Sequence, residues 1–147
     1  MTTSTVAAAS DRTAAECQLF VEQHGIGRIC IVTDGYPLAF PVSYRYATTE
    51  EATVVLFRTK PGNTIGRALG PSSFEVEEID ADNRNATTVI ARGQLVSAAT
   101  WPDTHPWITG MRDLWLALRV ESMTGRRFVG KTSPDEGFAV EWELLPA

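Results

Sequence analysis

One short segment brings together a cation, hydroxyl side chains and a helix start, which are the components of a phosphate site. The segment is "LFRTKPGNTIGRAL", residues 56–69, in which Arg58 ends an apolar run and a short helix is predicted to begin at Pro61. A helix N-terminus carries unpaired N–H groups and a partial positive charge, so it suits a phosphate when an arginine lies beside it. The alternative is an Arg–Glu surface pair and an ordinary helix cap. The residues predicted to form the phosphate site are Arg58, Thr59, Asn63 and Thr64.

No other pattern in the chain predicts a catalytic group or a metal site. Cys17 and Cys30 are not spaced as C-x-x-C, and neither His24 nor His105 has a partner at metal-ligand spacing. The acidic run over residues 75–82 alternates between two faces of a strand, which favours a solvated strand and turn. The residues therefore give no strong evidence for a catalytic group carried by the protein, and we predict no catalytic side chain.

Composition narrows the class of protein. The chain has 147 residues and a formal net charge of −5, which argues against a nucleic-acid-binding protein and, more weakly, against docking on an anionic membrane. Residues 1–12 are small and polar and are predicted to be a disordered tail, followed by a single domain over residues 13–147. Two cysteines and no export signal favour a cytoplasmic protein with free thiols.

The first half of the domain is predicted to contain a helix and a β-hairpin. Thr13 and Glu16 have the spacing of a capping box and open a helix over residues 14–24. Two strands, "GRICIVT" and "LAFPVSYRY", then flank the turn signal Asp34-Gly35. The second strand alternates strictly, with Tyr44 on its apolar face. Pro41 on the other face cannot donate a ladder hydrogen bond, which places it at a sheet edge, a bulge or a gap that something else approaches.

Further strands follow and indicate a barrel. "TVVLFRT" is apolar on both faces and is predicted to be central. Short strands joined by hairpin turns, with few helices, are typical of a closed or nearly closed antiparallel barrel of six or seven strands. The remaining predicted strands are "SFEVEEID", "NATTVIARGQLVSA", "DLWLALRV" and "GFAVEWELL".

Taken together, these residues resemble the flavin-binding split-barrel superfamily, the pyridoxamine 5′-phosphate oxidase-like proteins. The resemblance covers roughly residues 14–130 and rests on the order of several short motifs. It implies a mainly β protein, a six-stranded antiparallel split β-barrel of the FMN-binding type. It also implies a homodimer with a flavin groove at each end of the interface. The motifs are "GRICIVTDGYPLAFPVSYRY", "VVLFRTKPG", "FEV-x-x-x-D" and "PWITGMRDLWLALRVESMTGRRF".

The same resemblance implies a set of binding residues. The strand that runs along the isoalloxazine ring corresponds to Pro41, Val42, Ser43 and Tyr44. The phosphate-binding residues correspond to Phe57, Arg58, Thr59, Asn63 and Thr64. The partner chain of the dimer is expected to add Trp107, Arg112 and Trp115 to the groove.

Two positions depart from the family pattern. Family members commonly carry a lysine where this chain has Thr64, and losing that charge-assisted bond weakens phosphate binding by about 1.5–3 kcal/mol. Arg67, one turn later, is expected to compensate in part and is included among the cofactor-binding residues. Many members also carry a tryptophan in the stretch where this chain has Thr87, Thr88 and Val89, which changes one wall of the groove.

Three functions remain open from the sequence. The first is an FMN-dependent oxidoreductase acting on a small-molecule substrate that the sequence does not identify. The second is a deazaflavin-dependent reductase. The third is a non-catalytic binding or sensing barrel that has lost its cofactor, which Thr64 and Thr88 favour. The far wall of the groove is expected to come from loops at 100–113 and 121–133. The extra cations available for a deazaflavin tail are Arg67, Arg126, Arg127 and Lys131.

Overall fold

The structure is a computed structural model that describes residues 6–48, 50, 52–58, 64–97 and 115–130. Within these residues the chain forms seven β-strands, one α-helix and one short 3-10 helix, Ile65–Arg67. The elements are β1 Val6–Asp11, α1 Ala14–Gln23, β2 Ile26–Thr33, β3 Tyr36–Thr48, β4 Thr53–Arg58, β5 Gly70–Asp80, β6 Asn85–Ser97 and β7 Trp115–Gly130.

Six antiparallel strands close into a ring. The order is β2, β3, β4, β7, β6 and β5, with β5 pairing back to β2, while β1 adds to one end of β7. The pairs β2–β3, β3–β4, β5–β6 and β6–β7 join strands that follow one another in the chain. The pairs β2–β5 and β4–β7 join strands that are distant in sequence and close the ring. The predicted mainly β split-barrel fold is confirmed.

Local signals in the sequence explain the helix and the first hairpin. Thr13 Oγ1 accepts from the Glu16 N–H at 3.2 Å, and Glu16 Oε1 accepts from the Thr13 N–H at 3.2 Å, which is the predicted capping box. At the β2–β3 turn, Asp34 and Gly35 have φ angles of 51° and 81°. Two successive positive φ angles define a type I′ turn, whose twist matches that of the strands it joins.

The core fills the inside of the ring. Val55 and Phe57 of β4 point into it and are fully buried, together with inward residues of the other strands and of α1. The opposite face of β4 is also buried, because Val54 and Leu56 pack with Ala117 of β7 in a second cluster outside the ring. The prediction that this strand is apolar on both faces and central is thus confirmed.

Three expectations differ from the structure. Residues Val6–Asp11, expected within a disordered tail, form β1 and pair with Arg126–Gly130 of β7. The described part of the predicted helix over residues 61–69 is only the 3-10 helix Ile65–Arg67. Residues 121–130, expected in a loop, continue β7. The backbones of β1 and of the 121–130 part of β7 pair with chain segments that are distant in sequence. Local sequence patterns do not reveal such pairing. The predicted strand "GFAVEWELL" lies outside the described residues.

The described helices also bear on membrane insertion. None of them is both long enough and apolar enough to cross a lipid bilayer.

Candidate functional site

A groove of about 340 Å³ lies on the outer face of the ring, where β3 runs past the end of β4. It combines one stretch of exposed strand with two arginines and an indole. Its lining residues are Pro41, Val42, Ser43, Tyr44, Arg45, Arg58 and Trp115. The structure therefore brings together most of the predicted binding residues that lie in its described part.

The groove exists because β3 is longer than its partner on one side. β2 pairs with β3 from Tyr36 to Ser43, whereas β4 pairs with it only from Tyr44 onward. The Tyr44 N–H donates to Gly25 O at 3.0 Å, toward β2. Backbone groups alternate in direction along an antiparallel strand, so those of Pro41 and Ser43 point the other way, toward the groove. Among the described strands none pairs with β3 on that side before Tyr44.

This open edge explains a proline in the middle of a strand. Pro41 has no N–H, so it loses no ladder hydrogen bond at a position whose backbone faces a gap. The sequence left an edge, a bulge or a gap as explanations for Pro41. The strand register favours the gap.

Two arginines, Arg45 and Arg58, give the groove a positive charge. Arg58 is exposed at the end of β4 and lies opposite Trp115 on β7. Arg45, also exposed, places its guanidinium carbon 5.7 Å from the centre of the Trp115 ring. Within the described residues, neither arginine has a carboxylate at salt-bridge distance, whereas Arg12 and Arg28 do. The two groove arginines are therefore available to an anion.

Trp115 contributes a hydrogen-bond donor as well as a ring. Its Nε1 is buried and has no acceptor among the described residues. A buried donor without an acceptor costs about 1–3 kcal/mol, so such groups usually have a partner that a ligand can supply. Trp115 was expected to reach the groove from a partner chain. In the structure it lines the groove of its own chain.

Two predicted residues turn their side chains into the core, and of these Tyr44 lines the groove whereas Phe57 does not. Tyr44 points into the core, where its hydroxyl donates to Val21 O at 2.5 Å, and burial raises the pKa of Tyr44 to about 12. Phe57 is fully buried, with its ring stacked 6.4 Å from that of Phe74. Their inward orientation follows from the strand alternation, which turns Ser43 and Arg58 outward.

Two further predicted residues, Thr64 and Arg67, are described but do not reach the groove. Thr64 precedes the 3-10 helix with no side-chain cap, Arg67 ends it, and neither lines the groove. Residues 61–63, where the helix was predicted to begin, lie outside the described residues, so a phosphate site at that helix start stays a prediction, and Arg58 is the described cation of that site that lines the groove. Thr59, Asn63, Trp107 and Arg112 lie outside the described residues.

Sequence reasoning missed Arg45. It follows Pro41 and Ser43 on the outward face of β3, so the alternation itself places it beside the groove. The signal was present, but its use required knowing that β7 lies beyond β4 with Trp115 opposite Arg58, within reach of the Arg45 side chain.

A second groove, of about 470 Å³, borders the first at Pro41 and contains an ion-pair cluster. Arg28 donates to Glu75 at 3.1 Å and also to Glu77. Glu77 and Glu75 raise the pKa of Arg28. Burial, followed by the charge of Glu77, raises the pKa of Glu75 despite Arg28. Glu75 and Glu77 share a face, as predicted, and the described residues contain no cluster suited to a metal.

The chain was also compared with sequence models of known protein families, and one of them matches. The sequence model described as pyridoxamine 5′-phosphate oxidase matches residues 13–127. The chain belongs to the pyridoxamine 5′-phosphate oxidase family. This confirms the resemblance seen in the sequence, and the matched range includes every described residue of the groove. Comparison with curated proteins gives no match.

Solved structures show the same fold. The FAD binding protein from Mycobacterium smegmatis is 25% identical, with a TM-score of 0.63 over 82% of this chain and 99% of that one. A FAD-binding protein from Mesorhizobium loti is 21% identical, with a TM-score of 0.65 over 82% and 97%. A conserved protein of unknown function from Corynebacterium diphtheriae is 19% identical, with a TM-score of 0.65 over 82% and 98%. Flavin-binding proteins are thus among its structural neighbours.

Proposed function

We propose that this protein is a flavin-binding oxidoreductase that holds a phosphate-bearing flavin in the groove between Pro41 and Trp115. The observation that carries the proposal is the position of Arg58, a cation without a carboxylate partner in the described residues, beside the open backbone edge of β3. The 25% identical mycobacterial structure is a FAD binding protein, which supports a flavin as the ligand.

The groove residues fit such a ligand in three ways. The outward backbone groups of Pro41 and Ser43 offer hydrogen bonds to the polar edge of a flat ring. Arg58 offers a charge-assisted bond to a phosphate. The Trp115 N–H, which lacks an acceptor in the described part of the chain, offers a donor.

As in other flavin proteins, the cofactor and the protein would have different roles in the reaction. The flavin supplies electron or hydride transfer, and the protein supplies position and electrostatics. Among the described lining residues, the only ionisable side chains are the two arginines and Tyr44, which is buried and has a pKa of about 12. That set suits orientation and charge neutralisation rather than proton transfer by a side chain.

A homodimer in the cytoplasm is part of the proposal. The β2–β3 hairpin exposes apolar side chains, with Val32 64% and Tyr36 70% exposed, and exposed apolar patches mark protein interfaces. Cys17 and Cys30 are both free, which suits a reducing compartment. The substrate is proposed to be a small molecule that enters the groove beside the flavin.

FMN is the cofactor first expected from the sequence, and a deazaflavin is the second candidate. The cations named for a deazaflavin tail are not gathered at the groove: Arg67 does not line it, and Arg126 and Arg127 pair with β1 and β6 at the far end of β7. Lys131 lies outside the described residues. This arrangement favours a flavin over a deazaflavin.

Loss of the cofactor is the remaining alternative. The hypothesis of a lost cofactor rested on Thr64 and Thr88, but neither residue lines the groove. Thr88 is on β6, where it lies opposite Arg126 of β7. The departures from the family pattern therefore leave the described lining of the groove intact, which supports a protein that still binds its cofactor.

The test is a visible absorption spectrum of the purified protein, followed by titration of the apoprotein with FMN, FAD, riboflavin and a deazaflavin. We expect FMN or FAD to bind at least tenfold more tightly than riboflavin, which lacks a phosphate. Tight binding of the deazaflavin alone would transfer the proposal to that cofactor. Failure to bind any of the four would reject it in favour of a non-catalytic barrel.

A further inference from the structure

Two arginines in the groove share the outer face of neighbouring strands. Arg45 lies opposite Leu56 on β4, and Arg58 is two residues further along β4, so the pair is diagonal. Diagonal partners on antiparallel strands lie about 7–8 Å apart, within reach of long side chains. Like charges so placed repel each other, and the described residues provide no carboxylate to relieve them. An anionic ligand would relieve the repulsion.

The direction of Arg45 brings the two cations closer. Its guanidinium lies over Trp115, which is on β7, two strands away from β3. Neighbouring strands lie about 4.8 Å apart. To reach Trp115, the Arg45 side chain must therefore extend from β3 across β4, toward the place where Arg58 and Trp115 lie opposite each other. The cation–π contact with Trp115 favours this orientation. The groove thus presents two cations, one at the end of β4 and one held by an indole.

The order of groups along β3 separates the roles of the arginines. Pro41 and Ser43 border the open edge suited to a flat ring, and Arg58 lies across from Ser43 at the end of that edge. Arg45 comes next along the strand, on the side away from Pro41. A ligand whose ring lies at Pro41 and whose first phosphate meets Arg58 would carry its next group to Arg45.

We infer that Arg45, held over the Trp115 ring, binds a second anionic group of the ligand and makes the groove selective for a flavin with two linked phosphates over one with a single phosphate. The inference rests on the proposed flavin function and refines it. A single phosphate is satisfied by Arg58. A diphosphate occupies both cations and removes the repulsion between them.

The experiment measures dissociation constants of riboflavin, FMN and FAD for the wild-type protein, Arg45→Gln, Arg58→Gln and Trp115→Phe. The control is Arg92→Gln, which removes an exposed arginine of β6 that does not line this groove. Circular dichroism of each variant checks the fold. We expect the wild-type protein to bind FAD at least tenfold more tightly than FMN.

The variants separate specificity from simple binding. Arg45→Gln should weaken FAD binding at least tenfold and FMN binding less than threefold, so that the preference for FAD over FMN disappears. Trp115→Phe removes the N–H and part of the ring, and it should also reduce the preference for FAD over FMN. Arg58→Gln should weaken FMN and FAD alike, and Arg92→Gln neither.

Two results would overturn the inference and leave flavin binding intact. One is equal affinity of the wild-type protein for FMN and FAD. The other is an equal loss of both ligands in Arg45→Gln, which would make Arg45 a general binding residue. A wild-type protein that binds none of the flavins would overturn both the inference and the proposed function.

Discussion

The Tyr44 hydroxyl donates a 2.5 Å hydrogen bond to the backbone carbonyl of Val21, and this bond ties the groove strand β3 to the last turn of α1. The final carbonyls of a helix have no partner within the helix, and here a side chain from the sheet supplies one. His24, the C-cap residue of α1, meets another of these carbonyls locally, with its Nδ1 2.7 Å from Phe20 O. The end of the helix is thereby fixed against the strand that borders the groove.

Tyr44→Phe is expected to lower the free energy of unfolding by about 1–3 kcal/mol, since it leaves a carbonyl oxygen without its donor in a buried position. Urea denaturation followed by circular dichroism measures the change. The matched control is Tyr36→Phe, because Tyr36 is 70% exposed and should change stability little. Equal stability of wild type and Tyr44→Phe would show that the Val21 bond contributes nothing.

The same tyrosine predicts a loss of stability in alkali. Burial raises the pKa of Tyr44 to about 12, above its ordinary value of 10.0, so the folded state holds the proton more tightly than the unfolded state. This contribution to stability is complete below pH 10 and is lost as pH rises from 10 toward 12. Denaturation midpoints between pH 9 and 11.5 should fall more steeply for wild type than for Tyr44→Phe. Parallel curves would contradict the assignment.

Arg58→Ala is expected to weaken binding of a phosphate-bearing flavin at least tenfold while the fold survives, because it removes the cation at the end of β4. Fluorescence titration with FMN measures the affinity, and riboflavin serves as the ligand without phosphate. Arg92→Ala is the control on another outward strand position. An FMN affinity that is the same in Arg58→Ala and wild type would remove Arg58 from the phosphate site.

Gly93 is expected to tolerate no side chain. It follows an irregularity in the β6–β7 register, and a Cβ there would lie 1.9 Å from the backbone oxygen of Arg119. Gly93→Ala must shift that backbone, and overpacking of this kind costs about 1–3 kcal/mol, occasionally more. Gly25→Ala is the control, since a Cβ there meets nothing within 4 Å. Thermal denaturation should separate the two variants clearly, and similar melting temperatures would refute the prediction.

Several features of this protein follow from sequence alone because their causes are local. The alternation in β3 determines that Tyr44 points inward and Ser43 outward, and the Asp34-Gly35 pair determines the hairpin turn. Thr13 and Glu16 determine the start of α1 within a few residues of chain. The order of the short motifs also identified the family. Periodicity, turn chemistry and capping all act between neighbours, so they can be read from a linear sequence.

Other features were decided only by the tertiary structure. The pairing of β1 with β7, the closure of the ring and the contact of Arg45 with Trp115 all join residues far apart in the chain. The gap beside β3 that Arg45 and Arg58 line was likewise not visible in the sequence, whereas the anion site predicted at a helix start lies partly outside the described residues. Which side chains share a groove depends on strand register and on where one strand ends beside another. Those quantities are set by pairing across the whole barrel, and no local pattern contains them.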